Sequence, residues 1–268
     1  MTVPHPMSGS VMVVTGAGSG IGRATALRAA SEGACIVISD LRAERTKEVA
    51  DEIVAAGGRA HAVAADASSE SDLVAVRDVA LDVYGRIDIV MNNAGVLAMG
   101  QPENLPDEAW ARVLDVNVMG LARSNRVFLP VLLAQGSGHV VNTASASGLL
   151  GYGFDRLPYV ASKHAVVGIS EALAIYLGPR GIGVTCVCPS GVVTNILENI
   201  TVFGELTATP RAPQHALSTA EEVGEKIVSA IASGRFLVTT APEIESELAA
   251  RSADIESFLQ ARIAEQLT

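Results

Sequence analysis

One junction limits what this chain can fold into more than any other feature. VMVVT (residues 11–15) is a β-branched apolar run of strand length that passes directly into the glycine-rich turn T-G-A-G-S-G-I-G (residues 15–22). The turn opens into RATALRAASEG, which keeps helical spacing until Gly33. A strand apolar at every position needs cover on both faces, and a parallel sheet with crossover helices supplies it. The alternation then recurs: strand-like runs at 35–39, 60–65, 87–92, 139–144, 183–188 and 236–240 are separated by helical patterns at 42–58, 68–84, 107–135, 158–177 and 219–233. The predicted class is α/β, a doubly wound parallel sheet with helices on both faces.

The chain has 268 residues, of which 49% are apolar, enough for one large α/β unit. Residues 1–10 read as a loose N-terminal tail and residues 11–240 as one domain. Residues 241–268 read as a helical extension, with Ile244, Leu248, Ile255, Leu259 and Ile263 on one stripe. That stripe is expected to pack on the body of its own subunit, with a partner subunit as the alternative. The formal charge of −10 argues against nucleic acid and against anionic membrane surfaces. Cys35, Cys186 and Cys188 all sit in apolar strand-like runs and read as buried structural thiols. The first residues lack the basic and apolar regions of a signal peptide, and no apolar run approaches the ~18 residues of a membrane span. A cytoplasmic protein is the expectation.

The glycine turn lies where a parallel sheet offers backbone N–H groups and a positive helix end to a pyrophosphate. Gly16, Gly20 and Gly22 permit a tight turn, close backbone approach and close helix–strand packing. Their register, G-x-x-x-G-x-G, differs from the widespread G-x-G-x-x-G fingerprint. A glycine turn with no ligand is the plainer alternative. Asp40 ends the second strand, where a carboxylate can accept both adenosine ribose hydroxyls and repel a 2′-phosphate. Leu41, not a basic residue, follows it, which favours NAD over NADP. The competing possibility is that Arg42 or Arg23 holds that phosphate.

Further along, Ser145 is followed by Tyr159 and then by Lys163 at i+4 from the tyrosine. On a helix these last two share a face. A nearby ammonium favours a phenolate, and lowering a tyrosine pKa by about three units takes roughly 4 kcal/mol. The expected product is a general acid/base poised to move a proton on and off an alcohol oxygen.

Taken together, Thr15–Gly22, Asn92-Asn93-Ala94-Gly95, Asn117, Ser145 and Tyr159-x-x-x-Lys163 resemble the short-chain dehydrogenase/reductase family, in their order and spacing, over about residues 11–240. The resemblance implies a single-domain Rossmann-type fold of about seven parallel strands with the active site at their carboxyl ends. It implies that Tyr159 is the general acid/base, that Lys163 lowers its pKa and bonds the nicotinamide ribose, and that Ser145 bonds the substrate oxygen. It also implies that Asn117 supports a water relay from the lysine. On the cofactor side it implicates Gly16, Ser19, Gly20, Ile21 and Gly22 at the phosphates, and Asp40 and Leu41 at the ribose. Asp66 and Ala67 would meet the adenine, Asn93, Ala94 and Gly95 the passing cofactor, and Val192 and Thr194 the carboxamide. No metal site is expected. Two departures stand out. The interval from Ser145 to Tyr159 is one residue longer than usual, and Ser190 intervenes in the family's Pro-Gly. Ser147 is a second serine within reach of the site.

Substrate contacts are expected from Leu97, Met99, Leu149, Tyr152, Phe154, Leu157 and a lid at residues 195–213. The apolar lid, with no basic residue before Arg211, points to a hydrophobic secondary alcohol or ketone rather than an anion. Helices 107–135 and 158–177 are apolar around more than one face, and the family's four-helix interfaces imply a homodimer or homotetramer. An enone reductase or epimerase on the same scaffold, and a non-catalytic dinucleotide-binding protein, are the alternatives.

Overall fold

The structure is a computed structural model and describes residues 3–193, 200–210 and 215–267. Seven parallel strands form the central sheet: β1 (Val11–Thr15), β2 (Cys35–Asp40), β3 (Arg59–Ala64), β4 (Ile89–Asn92), β6 (Gly138–Thr143), β7 (Ile182–Cys188) and β11 (Leu237–Thr239), in the order β11-β7-β6-β4-β1-β2-β3. β5 (Leu97–Gly100) and three further short strands lie outside this sheet and are described below with the lid. The chain runs outward from β1 to β3 and returns to β4 on the other side of β1, so a crevice opens at the carboxyl ends of β1 and β4.

Alternate residues of each strand serve opposite layers. Met12 and Val14 pack with Ala26, Ile53, Ile227 and Ile231, from α1 (Gly20–Ser31), α2 (Ala43–Ala55) and α7 (Ala220–Ser233). Val13 and Val90 pack with Leu73, Phe128, Leu132 and Leu177, from α3 (Glu70–Tyr84), α5 (Gly120–Gln135) and α6 (Leu157–Leu177). Period-two burial on both faces explains why these strands read as unbroken apolar runs.

The structure differs from the sequence expectations in several places. The N-terminal tail is docked, not loose: Met7 is 3% exposed and the His5 N–H donates to the Ile231 carbonyl at 3.0 Å. The helix expected over residues 107–135 is broken into α4 (Asp107–Leu114), a π turn (Asp115–Met119) and α5. The C-terminal segment forms α8 (Pro242–Ala253) and α9 (Ile255–Gln266), with the Asp254 carboxylate capping the second through Ser257 N–H at 3.0 Å. That break rotates the apolar stripe. Ile244 is fully buried, whereas Ile255, Leu259 and Ile263 are each about half exposed, and Phe258 of α9 packs toward the body instead.

Contrary to the reading that no apolar run reaches spanning length, the helical stretch Phe154–Arg180 is long and apolar enough to cross a membrane by length and composition alone. Its Ser162, Lys163 and Ser170 are buried on polar partners of the sheet and of the π turn, which is the signature of a core helix.

Part of the lid is a small ribbon: β5 (Leu97–Gly100) pairs in parallel with β9 (Ile200–Phe203). A second short pair joins β8 (Val192–Val193) to β10 (Ser218–Thr219). Of the expected lid, residues 195–199 and 211–213 lie outside the described residues, as does Thr194.

Candidate active site

A cleft of about 780 Å³ opens over the carboxyl ends of β1, β2, β4 and β6. At its floor the glycine turn is packed too closely for side chains. Gly16 has φ +63°, and a Cβ there would stand 2.9 Å from Ala94 Cα. A Cβ on Gly22 would stand 2.5 Å from the Gly16 carbonyl oxygen and 2.6 Å from Asn93 Nδ2. Asn93 ties the turn to β4, donating through Nδ2 to the carbonyls of Thr15 at 3.2 Å and Gly16 at 3.0 Å. Ser19 occupies the N-cap of α1 without a side-chain capping bond, so the helix end faces the cleft with its N–H groups uncapped by that residue. This is a cradle in which bare backbone and a positive helix end meet a ligand, and it fits the pyrophosphate of a dinucleotide.

Asp40 stands beside the turn. Its Oδ2 accepts from Gly18 N–H and its Oδ1 from Arg42 N–H, both at 3.1 Å, which fixes the carboxylate and leaves further lone pairs on it. Arg42 and Arg45 line the same end, while Arg23 is turned away into a 2.6 Å ion pair with Glu52. Asp66 is locked by Ser68, whose N–H donates at 2.8 Å and whose hydroxyl donates at 2.6 Å.

The cleft wall brings together most of the residues singled out from the sequence: Gly16, Ser19, Gly20, Ile21, Asp40, Leu41, Asp66, Ala67, Asn93, Ala94, Gly95, Ser145, Tyr159, Lys163 and Val192. Gly22 and Asn117 lie behind that wall. Asn117 is 4% exposed; its Oδ1 accepts from Val96 N–H at 2.9 Å, and its Nδ2 donates to the Val96 carbonyl and to Ser162 Oγ, each at 3.0 Å. The side chain is therefore a clamp on the strand-end loop, with both of its N–H donors used. The π turn supplies the extra residue that aims it there.

Ser145 ends the stretch after β6; its Oγ accepts from Ser147 N–H at 3.1 Å, and the side chain lies close enough to the Tyr159 hydroxyl to pull its pKa down. Ser145, not Ser147, therefore meets the phenol. Lys163, one turn beyond Tyr159 on α6, is 4% exposed and donates through Nζ to the Thr143 carbonyl at 2.8 Å. Its Nζ lies 5.5 Å from the centre of the Tyr159 ring. The reading of an acidic phenol takes the lysine and an oxidised nicotinamide together, and the chain alone holds only the first of these. Burial pushes the Tyr159 pKa up, opposed by the Ser145 hydrogen bond and by the charge of Arg156. Burial also pushes Lys163 down to about 8. Two groups desolvated together each resist their charged form, and the ammonium is turned to Thr143 rather than to the phenol.

Arg156 was not singled out from the sequence, although its place three residues before Tyr159 at the start of α6 puts it on the tyrosine's side. It lines the cleft, and its Nε and Nη2 bond the buried Asp155 at 2.7 and 3.0 Å. Among the expected substrate contacts, Leu97, Met99, Tyr152 and Ile200 line the cleft, while Leu149 is buried in the core beneath it. Phe154 and Leu157 are not in its described wall. Phe203 packs on Ala98, Ala109 and Val113 under the ribbon, and Val202 faces outward. The wall also holds Arg112, His215 and Leu217, so it is less uniformly apolar than the sequence suggested.

Residues 10–203 match the short chain dehydrogenase family model, and the chain belongs to that family. Cyclohexanol dehydrogenase of Acinetobacter sp. (strain SE19) is 36% identical over 236 residues, 88% of this chain and 92% of that protein. The 3β-hydroxysteroid dehydrogenase of Mediterraneibacter gnavus is 36% identical over 70% of this chain and 68% of its own length. Among solved structures, a short chain dehydrogenase/reductase from Burkholderia phymatum in complex with NAD superposes with a TM-score of 0.85 at 35% identity, covering 94% of this chain and 96% of that one. The fold class expected from the sequence is the one observed.

Proposed function

We propose that this chain is an NAD(H)-dependent oxidoreductase that interconverts a hydrophobic secondary alcohol and its ketone, with Tyr159 as the general acid/base. The observation that carries this reading is the meeting of Ser145, Tyr159 and Lys163 in one cleft with the glycine cradle. The NAD complex of the Burkholderia relative and the alcohol named for the Acinetobacter relative support it.

In this reading the residues of the turn hold the pyrophosphate, Asp40 the adenosine ribose, Asp66 and Ala67 the adenine, and Lys163 the nicotinamide ribose. When bound, the nicotinamide supplies a hydride acceptor or donor. Tyr159 gives its hydroxyl proton to a carbonyl oxygen, or takes one from an alcohol, while Ser145 Oγ bonds the same oxygen as charge grows on it. Asn117 holds the loop after β4 in place through Val96 and packs against Ser162, one residue before the lysine.

Asp40, fixed by two backbone N–H groups, supports NAD. Arg42 and Arg45 in the same stretch of wall favour a 2′-phosphate and make NADP the second reading. A panel of secondary alcohols assayed with NAD and NADP side by side, following absorbance of the reduced nicotinamide, tests both. Turnover with NAD well above NADP is expected, and a preference for NADP would reverse the cofactor assignment. We further propose a homodimer or homotetramer, supported by Met119, Ile175 and Tyr176, exposed on the π turn before α5 and on α6. A light-scattering mass equal to one 27.6 kDa chain would count against it.

A further inference from the structure

Part of the cleft wall is made by Tyr152 and His215, two side chains from separate loops. Both are tied to one carboxylate, Glu247 of α8. The Tyr152 hydroxyl donates to Glu247 Oε2, and His215 Nε2 lies 3.2 Å from Glu247 Oε1. The His215 and Glu247 side chains are only 9% and 20% exposed. From behind, α9 holds the tyrosine ring: Phe258 lies 6.2 Å from it, centre to centre, and the Arg262 guanidinium 5.7 Å over it.

The chemistry of this group follows from counting its protons. A carboxylate only accepts, so the contact with His215 requires the proton on Nε2, and in the neutral ring Nδ1 is then an acceptor. Nδ1 has no partner among the described residues. The single proton of the Tyr152 hydroxyl is likewise committed to Glu247, which leaves that oxygen with lone pairs alone. With the imidazole neutral, these two groups of the cleft wall offer acceptors and no donor. A ketone or carboxylate placed against them would bring acceptor to acceptor, and a hydrocarbon would leave them unpaired. A hydroxyl brings one proton that either of them can accept. From this we infer that Tyr152 and His215, oriented by Glu247, form a subsite for a second hydroxyl group, so that the substrate is a diol or hydroxyketone rather than a simple hydrocarbon alcohol. The inference rests on the alcohol/ketone reading above and narrows its substrate class. Glu247 acts only through the other two and is a positioning residue.

The test uses probes with one ring skeleton: cyclohexanol, the three positional cyclohexanediols and 4-hydroxycyclohexanecarboxylate. The parent chain is expected to prefer at least one diol over cyclohexanol in kcat/KM by about tenfold or more, and to disfavour the carboxylate. In His215→Leu and Tyr152→Phe the diol-to-cyclohexanol ratio should fall toward one, mainly through KM for the diol, with the melting temperature kept. His215→Asn, which retains an acceptor oxygen, should restore part of the ratio. Calorimetric binding of the same probes to Tyr159→Phe with NAD reads the preference without relying on turnover. A dead parent enzyme would therefore sink the alcohol reading while the diol preference is still measured. No diol preference in either assay, a preference for the carboxylate, or a ratio untouched by both substitutions would overturn the subsite.

Discussion

Replacing Lys163 by methionine probes the electrostatics of the cleft through folding stability. The side chain is 4% exposed, donates to the Thr143 carbonyl at 2.8 Å, and has its pKa pushed by burial from 10.5 down to about 8. Below the lower value both the folded and the unfolded chain carry the proton, and the folded chain carries it against desolvation at a cost of about 3 kcal/mol. Between about 8 and 10.5 the unfolded chain binds more protons than the folded one, so stability rises with pH and the penalty fades. Methionine has no proton to lose and contributes no such slope. It also leaves the Thr143 carbonyl without its donor, a loss of about 1–3 kcal/mol that does not depend on pH. Urea unfolding of both chains without dinucleotide therefore separates the two effects. From about pH 7 to pH 10 the parent should gain about 2.5 kcal/mol on Lys163→Met. Parallel stability curves for the two chains would refute the claim that a buried ammonium is held here against its solvation.

Other substitutions test the remaining parts of the cleft. Gly22→Ala puts a methyl within 2.6 Å of both the Gly16 carbonyl and Asn93, so NADH affinity by fluorescence titration should fall about tenfold or more while the chain still folds. Asn117→Ala removes the partners of the half-buried N–H and carbonyl of Val96, and should lower unfolding free energy by about 1–3 kcal/mol in denaturant melts. Arg156→Leu removes a charge that pulls the Tyr159 pKa down, so the rising limb of the pH–rate profile for alcohol oxidation should move to higher pH.

Much of this architecture was legible in local pattern. Residues 11–22 expose the strand, the turn and the helix start because a buried parallel strand and a close-packed turn each restrict composition severely. Tyr159 and Lys163 were readable as neighbours because α6 is regular and i, i+4 positions share a face. Asn117 was not readable as a clamp. The apolar spacing runs unbroken through residues 107–135, and a π turn inserts one residue without any compositional mark. The β5–β9 ribbon was missed because four-residue strands carry too little alternation to separate from loop. The stripe on residues 241–268 misled, since the break at Asp254 changes its phase halfway. His215 and Glu247 are thirty-two positions apart and meet only through the fold, so spacing could not pair them.

The sharpest single measurement compares Tyr159→Phe with the parent chain, recording NADH affinity and turnover of a secondary alcohol on the same samples. The account predicts that affinity is kept and that turnover falls by about 10² to 10⁴, because only the proton-bearing oxygen has been removed. A phenylalanine variant that turns over as fast as the parent would contradict it.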